Sequence, residues 1–152
     1  MFRPMRRIDK QMSYEESIEL LERGREGILG TLGDDGYPYT VVLNYVYFQN
    51  KIYFHCAKEG HKIDNITYNE KVSFTVYDHV KIVAEQLNTL YESITIFGKA
   101  KVVSATKEVL LALINKYAQM DLEKATSYIE REIMATAIVE ISIENLTGKR
   151  GK

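Results

Sequence analysis

The spacing of apolar residues changes from a helical repeat to a strand repeat after the first two dozen positions of the chain. Ser13 and Glu16 form a capping box, which predicts the start of a helix that ends at Gly24. Beyond it, apolar and polar residues alternate in short segments separated by turn residues, and this pattern predicts strands. The predicted strands cover residues 28–32, 39–48, 52–56, 71–77, 92–103 and 137–144. Further helices are predicted over residues 62–68, 106–117 and about 122–135.

Three of these segments carry more detailed expectations. The strand over residues 39–48 is apolar on both faces except at Asn44, which is typical of a buried central strand. Residues 78–90 lack a regular pattern and predict a loop, of a length that often forms a lid or a binding segment. Gly98, inside the strand over residues 92–103, predicts a bulge or the close approach of another group to the backbone.

The order of the elements favours the α+β class, mainly β, with helices at the periphery. Six antiparallel strands that curl into a small barrel would remove the exposed edges of the sheet. With 152 residues, the chain has the length of one domain, residues 1–152. Residues 1–12 form a basic arm that is either a frayed terminus or a segment that packs on a partner subunit. Its basic residues are Arg3, Arg6, Arg7 and Lys10.

Composition and charge narrow the functional classes. The formal net charge of −1 does not indicate nucleic-acid binding, because such proteins usually carry a basic surplus. The single cysteine, Cys56, excludes an intrachain disulfide and fits a reducing cytoplasm. No apolar run approaches the ~20 residues of a membrane helix, so no membrane partner is expected. The histidines at 55, 61 and 79 are too dispersed for a metal triad by spacing, so no metal is expected.

The run from Phe54 to Lys62 is the most informative candidate site. Gly60 lets the backbone approach a ligand closely, and the following helix begins with unpaired N–H groups that favour an anion. Lys58, His61 and Lys62 add cationic or donor groups, so the run predicts a phosphate cradle. The alternative is a solvated turn with ordinary surface lysines.

Other polar residues carry weaker signals. A buried Asn44 would need hydrogen-bond partners, which could be the pyrimidine edge of a flavin or the neighbouring backbone. Ser93, with Tyr91 and Glu92, begins a strand and could equally be an ordinary strand-edge residue. Cys56 follows His55 directly, so their side chains point to opposite faces and a Cys–His nucleophile pair is not expected. Cys56 is interpreted as a small core residue.

Four stretches together carry a resemblance to a known family. In order along the chain they are Met1–Arg7, Asp35–Tyr39 with Leu43–Tyr47, Lys51–Ala57 with Gly60–Lys62, and Ser93–Ala100 with Leu146–Lys149. With these stretches the sequence resembles the flavin-binding split-barrel family of pyridoxamine phosphate oxidase, and within it the nitroimidazole-resistance branch of reductases. The resemblance covers nearly the whole chain and implies a six-stranded antiparallel split β-barrel.

The resemblance also implies a homodimer with flavin mononucleotide (FMN) in clefts between the subunits. The segment Val41–Tyr45 matches the strand that lines the isoalloxazine ring, and Phe54 and His55 match a flavin-contacting pair. His61 and Lys62 match the basic pair on the phosphate, Ser93 a contact from the partner subunit, and Lys149 a C-terminal motif near the site. The implied cofactor-binding residues are therefore Val41, Val42, Leu43, Asn44, Tyr45, Phe54, His55, His61, Lys62, Ser93 and Lys149.

The chain departs from the family pattern at several positions. His61 replaces an arginine, so a phosphate contact there would depend on pH. Val42 and Asn44 stand where the resistance branch often has Pro and Ser. The C-terminal arginine pattern that holds a pyridoxal substrate is not evident, which argues against pyridoxamine phosphate as the substrate.

The sequence thus favours an FMN-dependent oxidoreductase that reduces a small electron acceptor, for which a nitroaromatic compound is one candidate, with no catalytic residue assigned. The alternative is a non-enzymatic protein of the same fold that senses or stores flavin or haem. A haem protein of this sequence would take His55 or His61 as its axial ligand.

Overall fold

A computed structural model describes residues 1–151 of the chain. In this range the chain forms seven strands, four α-helices and two short 3₁₀ turns, at Ile8–Lys10 and Ala84–Gln86. The helices are α1 (Tyr14–Arg23), α2 (His61–Tyr68), α3 (Lys107–Tyr117) and α4 (Leu122–Glu132). The strands are β1 (Glu26–Leu32), β2 (Pro38–Asn44), β3 (Val46–Phe48), β4 (Lys51–Ala57), β5 (Lys71–Val83), β6 (Asn88–Val103) and β7 (Thr136–Gly151).

All seven strands belong to one antiparallel sheet in the order β2-β1-β5-β6-β7-β4-β3. The two edge strands, β2 and β3, are consecutive in the chain and only Tyr45 separates them. The sheet therefore curls round until its two edges meet at Tyr45. The expected antiparallel split barrel is confirmed, but the strand number is seven rather than six. The strand expected over residues 39–48 breaks at Tyr45 because the chain leaves one edge of the sheet there and joins the other.

The barrel encloses the main hydrophobic core. Inward side chains of the strands, such as Leu29 and Phe74, are fully buried, and Leu20 and Leu21 of α1 pack among them. Helix α1 begins as the capping box predicts, because the Ser13 hydroxyl accepts the N–H of Glu16 at 3.1 Å. Burial of these apolar side chains is the main force that holds α1 against the strands.

A second hydrophobic core lies outside the barrel. Helices α3 and α4 pack on the outer wall formed by β3, β4 and β7. Leu113 and Ile114 of α3 and Ile129 of α4 meet Tyr53 and Ile138 of the strands there. The helix expected over residues 122–135 ends at Glu132 rather than near residue 135. None of the helices in residues 1–151 is long and apolar enough to span a bilayer.

The rest of the outer wall, made by β2, β1, β5, β6 and the second half of β7, forms what we call the open face. The strand registers align its outward side chains in rows that cross the sheet. One row contains Val42, Ile28, Thr75, Thr95 and Thr147. Val42 is 65% exposed, and Tyr77 and Phe97 are 60% and 42% exposed. The open face is therefore an accessible wall of small, hydroxylated and aromatic side chains.

The prediction of a loop over residues 78–90 is wrong. β5 and β6 continue through this stretch as a hairpin, in which Lys81 pairs with Leu90 and Val83 with Asn88. A register shift follows Asp78, where His79 adopts a positive φ of 55°. The alternating pattern is lost because both faces of the hairpin are accessible. Its exposed apolar residues include Val80, Ile82 and Leu87.

The last strand runs to Gly151 rather than to residue 144. Its ladder with β6 shifts register between Phe97 and Gly98, where Glu144 is the extra residue that interrupts the alternation. The bulge expected at Gly98 is confirmed, and so is the close approach. A Cβ at position 98 would lie 2.2 Å from the Ser142 carbonyl oxygen.

The N-terminal arm lies along its own chain. Gln11 forms a β-bridge with Lys149, and the neighbouring Met12 is buried. Nearer the N-terminus, the Phe2 ring stacks on Phe97 with a centroid separation of 5.8 Å. The first of these contacts extends the sheet beside β7, and the second covers part of the open face.

Candidate functional site

The turn between β4 and α2 has the conformation of a close-approach loop. Gly60 precedes α2 with φ 149° and ψ 170°, a region that essentially only glycine adopts. No atom lies within 4 Å of the position that a Cβ of Gly60 would occupy, so the space above the loop is open. The first N–H groups of α2 have no partners within the helix, and the helix dipole favours negative charge there. The loop and helix together can accept an anionic group.

The side chains around this loop are cationic or aromatic. The His61 ring lies against Tyr39 of β2, with centroids 4.0 Å apart, so the start of α2 adjoins the start of β2. Lys62 is partly buried on the first turn of α2. Burial raises the pKa of the Cys56 thiol, and the charge of Lys62 opposes that shift. Cys56 is partly buried and packs against the barrel core, as expected for a small core residue.

Four of the predicted site residues share the open face. Val42 and Asn44 point outward from β2 at one side of it. Ser93 of β6 pairs directly with Lys149 of β7 towards the other side. The Lys149 ammonium also lies 5.7 Å from the centre of the Tyr91 ring. The fold thus brings residues from distant parts of the sequence onto one accessible wall.

Other predicted site residues face the barrel interior. Phe54 is 1% exposed and Tyr45 is fully buried, and Val41 and Leu43 also pack against the main core. These four residues can reach a ligand on the outer wall only through main-chain atoms. His55 is exposed on the opposite face of β4 from Phe54, so the two side chains do not come together.

The expectation of a buried Asn44 is wrong. Asn44 is exposed, because β2 is an edge strand whose outward face lies on the open face. Its side-chain N–H donates to the Arg25 carbonyl oxygen at 2.9 Å. Asn44 is therefore held by neighbouring backbone, which was one of the two possibilities for this residue, and it is also accessible to a ligand.

Sequence reasoning missed a polar cluster where the barrel closes. We call Arg25, Tyr45, Lys116 and Tyr117 the closure cluster. The Tyr45 N–H donates to the Tyr117 hydroxyl at 3.1 Å, and the Lys116 ammonium donates to the Tyr45 carbonyl at 3.0 Å. The Tyr117 hydroxyl also lies 2.7 Å from the Arg25 carbonyl. In the sequence, Lys116 and Tyr117 are only the last residues of an amphipathic helix, so no local pattern marks them.

Burial lowers the pKa of the lysine in the closure cluster. Desolvation, assisted by the nearby charge of Arg25, lowers the pKa of Lys116 to about 8. The ammonium sits 4.0 Å from the centre of the Tyr45 ring, which partly offsets the lost hydration. Burial raises the pKa values of both Tyr45 and Tyr117, so their hydroxyls remain neutral hydrogen-bonding groups near neutral pH.

The stability of the protein should therefore depend on pH through Lys116. Between the folded pKa of about 8 and the ordinary lysine value of 10.5, the unfolded chain binds more protons, so stability rises with pH. Relative to Lys116→Met, the wild type should gain about 1–2 kcal/mol of unfolding free energy between pH 7.5 and 9.5. Denaturant unfolding at both pH values measures this difference. Parallel pH profiles of the two proteins would contradict it.

Beside Ser93 and Lys149, a network of ion pairs connects α1 to the sheet. Arg150 and Arg23 both hydrogen-bond to Glu92, from 3.1 and 2.8 Å respectively. Burial alone would raise the pKa of Glu92. The hydrogen bonds from Arg150 and Arg23 outweigh burial, so the pKa is lowered. The network fixes the ends of β6 and β7. Across residues 1–151, no cluster of three or more His, Cys, Asp or Glu side chains is arranged to hold a metal ion.

Comparison with known proteins gives one family match. The profile of the pyridoxamine 5′-phosphate oxidase family matches residues 13–150. A search of curated protein sequences finds no match to the chain.

Many solved structures share the fold at low sequence identity. A candidate 5-nitroimidazole antibiotic resistance protein from Bacteroides thetaiotaomicron is 20% identical with a TM-score of 0.79, over 93% of this chain and 86% of that one. An FAD and haem binding protein from Mycobacterium smegmatis is 18% identical with a TM-score of 0.76, over 94% and 74% of the two chains. A haem storage protein from Vibrio cholerae is 13% identical with a TM-score of 0.67, over 90% and 94%. The TM-scores establish a common fold, and at identities this low the comparison shows the fold alone.

Proposed function

The chain belongs to the pyridoxamine 5′-phosphate oxidase family, and on that premise we propose that it is a homodimeric FMN-dependent oxidoreductase. The observation that carries the proposal is the contact of the start of α2 with β2, the edge strand that also presents Val42 and Asn44 on the open face. The anion-accepting start of α2 adjoins Tyr39, and from there β2 leads to Val42 and Asn44 on the accessible wall. A phosphate and a flat polar heterocycle would find suitable groups at the two ends of this path.

The phosphate end would be held by α2 and its preceding loop. Main-chain N–H groups of the first helical turn would bind phosphate oxygens, and Lys62 would supply a positive charge. His61 would add a ring N–H, with its orientation set by Tyr39. The open space above Gly60 supports this assignment, because no side chain occupies it.

The ring end would lie along the outward side of β2. Val42 offers an exposed apolar surface and Asn44 an amide that can pair with N–H and C=O groups of a heterocycle. When bound, a flavin supplies hydride and electron transfer to a small acceptor. The residues of this chain bind and orient it, and none is assigned as an acid or base.

The width of the open face supports the proposal that a second copy of the chain contributes residues to the site. β2 and β6 are three strand spacings apart in the sheet order, about 14 Å at the usual spacing. A ring held at Val42 and Asn44 is therefore far from Ser93 and Lys149 of the same chain. Two open faces packed together would bring these residues to the ring from the partner subunit.

We propose a nitroaromatic compound as the acceptor. The shared fold with a candidate 5-nitroimidazole resistance protein and the resemblance to that branch support this choice. Pyridoxamine phosphate is not proposed, because the C-terminal arginine pattern that would hold it is not evident in the sequence.

Flavin binding tests the proposal directly. Purified protein should carry or take up FMN and absorb at about 450 nm. Light scattering should give about twice the chain mass of 17.5 kDa. The loaded protein should then oxidise NADH or NADPH faster when a nitroaromatic acceptor is added. Protein that stays colourless and fails to take up added FMN would end the proposal.

A non-enzymatic flavin or haem protein is the alternative function. The exposed imidazole of His55 on the outer wall favours it, because a haem could reach that side chain. Haem binding would give a Soret band that disappears in His55→Ala or His61→Ala. Stoichiometric flavin binding without turnover of any added acceptor would favour a flavin store or sensor.

A further inference from the structure

The closure cluster lies at the end of the proposed flavin-binding strand, where β2 stops at Asn44 and Tyr45 follows. Tyr45 belongs to neither strand ladder, since the pairing of β2 with β1 ends at Asn44 and that of β3 with β4 begins at Val46. Its peptide groups therefore need partners from outside the sheet, and Tyr45 is fully buried. The side chains of Lys116 and Tyr117 supply them.

The Tyr117 hydroxyl joins this closure point to Asn44. It lies 2.7 Å from the Arg25 carbonyl, and the same carbonyl accepts the side-chain N–H of Asn44 at 2.9 Å. The Asn44 side chain also lowers the pKa of Tyr117, against the larger effect of burial. One phenol hydroxyl thus contacts the main chain of Arg25 and Tyr45, and it shares the Arg25 carbonyl with the side chain of Asn44.

Tyr117 is well placed to hold these groups rigidly. It ends α3, whose preceding residues Leu113 and Ile114 are buried in the second core. The Lys116 ammonium, above the Tyr45 ring, fixes the same end of α3. The position of the hydroxyl is therefore set by packing on the outer wall and not by the strand that it touches.

We infer that Tyr117 is a positioning residue for the flavin ring. Through the Arg25 and Tyr45 backbone it fixes the end of β2 and the direction of Asn44. The inference rests on the proposed function, and it assigns α3, which lies outside the open face, a part in that site.

Flavin binding by Tyr117→Phe tests this role. The variant keeps the packed ring and loses the hydroxyl, so its affinity should fall about tenfold for FMN and by the same factor for riboflavin. The equal loss is expected because the contact concerns the ring and not the phosphate. The bound flavin spectrum should also shift, because Asn44 is no longer fixed. Tyr128→Phe, on the surface of α4, is the matched control and should bind like the wild type.

A double-mutant cycle separates positioning from general stabilisation. In an Asn44→Ala background, Tyr117→Phe should change flavin affinity little, because the side chain that it orients is gone. A full additional loss in that background would overturn the inference. So would a variant that melts at a lower temperature but binds flavin with wild-type affinity and spectrum.

Two further outcomes are distinguishable. If the wild type binds no flavin, the proposed function fails, and the inference fails with it. If Tyr117→Phe does not fold, p-aminophenylalanine at position 117 is tested instead. Its amino group occupies the place of the hydroxyl and can still donate a hydrogen bond to the Arg25 carbonyl. That protein should bind flavin within about threefold of the wild type, and a tenfold loss would overturn the inference.

Discussion

Lys62→Ala should weaken FMN binding by roughly tenfold to a hundredfold while leaving riboflavin binding almost unchanged. The loss of one charge-assisted contact to phosphate corresponds to roughly 1.5–3 kcal/mol. Riboflavin lacks the phosphate, so its affinity reports only on the ring end of the site. The preference of the protein for FMN over riboflavin, measured by flavin fluorescence, should therefore collapse in this variant.

A lysine in a similar position on another helix controls for charge alone. Lys107 is exposed and begins α3, as Lys62 lies in the first turn of α2. Lys107→Ala should leave both affinities unchanged. If Lys62→Ala retained the full preference for FMN, the phosphate would lie elsewhere, although the flavin proposal would still stand if the wild type bound FMN.

Gly27→Ala should destabilise the protein by about 3 kcal/mol, close to the upper end of the usual cost of overpacking a core. A Cβ at position 27 would lie 2.1 Å from Cζ of Phe74 and 2.5 Å from its Cε1. The ring has little room to move, because Phe74 is fully buried and packs edge-on against Tyr45 at 5.1 Å. Denaturant unfolding of the flavin-free protein measures the cost.

A second glycine of the same strand and a compensating variant sharpen this test. Gly30 faces outward, and its Cβ would meet the Ser73 hydroxyl, which can rotate away, so Gly30→Ala should cost under about 1 kcal/mol. Combining Gly27→Ala with Phe74→Leu should cost less than the sum of the two single changes, since the smaller side chain makes room. Strict additivity would show that the clash with Phe74 is not the cause.

Local signals in the sequence predicted local structure well. The Ser13 capping box begins α1, and the helix predicted over residues 62–68 is present as α2. Each of these features depends on side-chain and backbone groups a few residues apart. The prediction that the Gly60 loop accepts an anion rests on the same kind of local signal.

The errors have a common physical origin in the way the sheet closes and ends. Residues 39–48 are apolar on both faces except at Asn44, and the break at Tyr45 arises only because the two sheet edges meet there. The hairpin of residues 78–90 lacks alternation because both its faces are accessible, and a bulge at Glu144 hides the second half of β7. Periodicity detects one buried face and misses strands that have none or that change register.

By itself, the sequence determined the antiparallel barrel class, the family resemblance and the chemical character of the Gly60 loop, because each depends on residue type and short spacing. Only the tertiary structure decided which side chains are accessible. It turned Phe54 inward, left Asn44 exposed on an edge strand, and set Ser93 beside Lys149. It also brought Tyr117 to the closure of the barrel, through contacts between segments more than seventy residues apart. Such contacts are fixed by packing and sheet curvature, which no local pattern records.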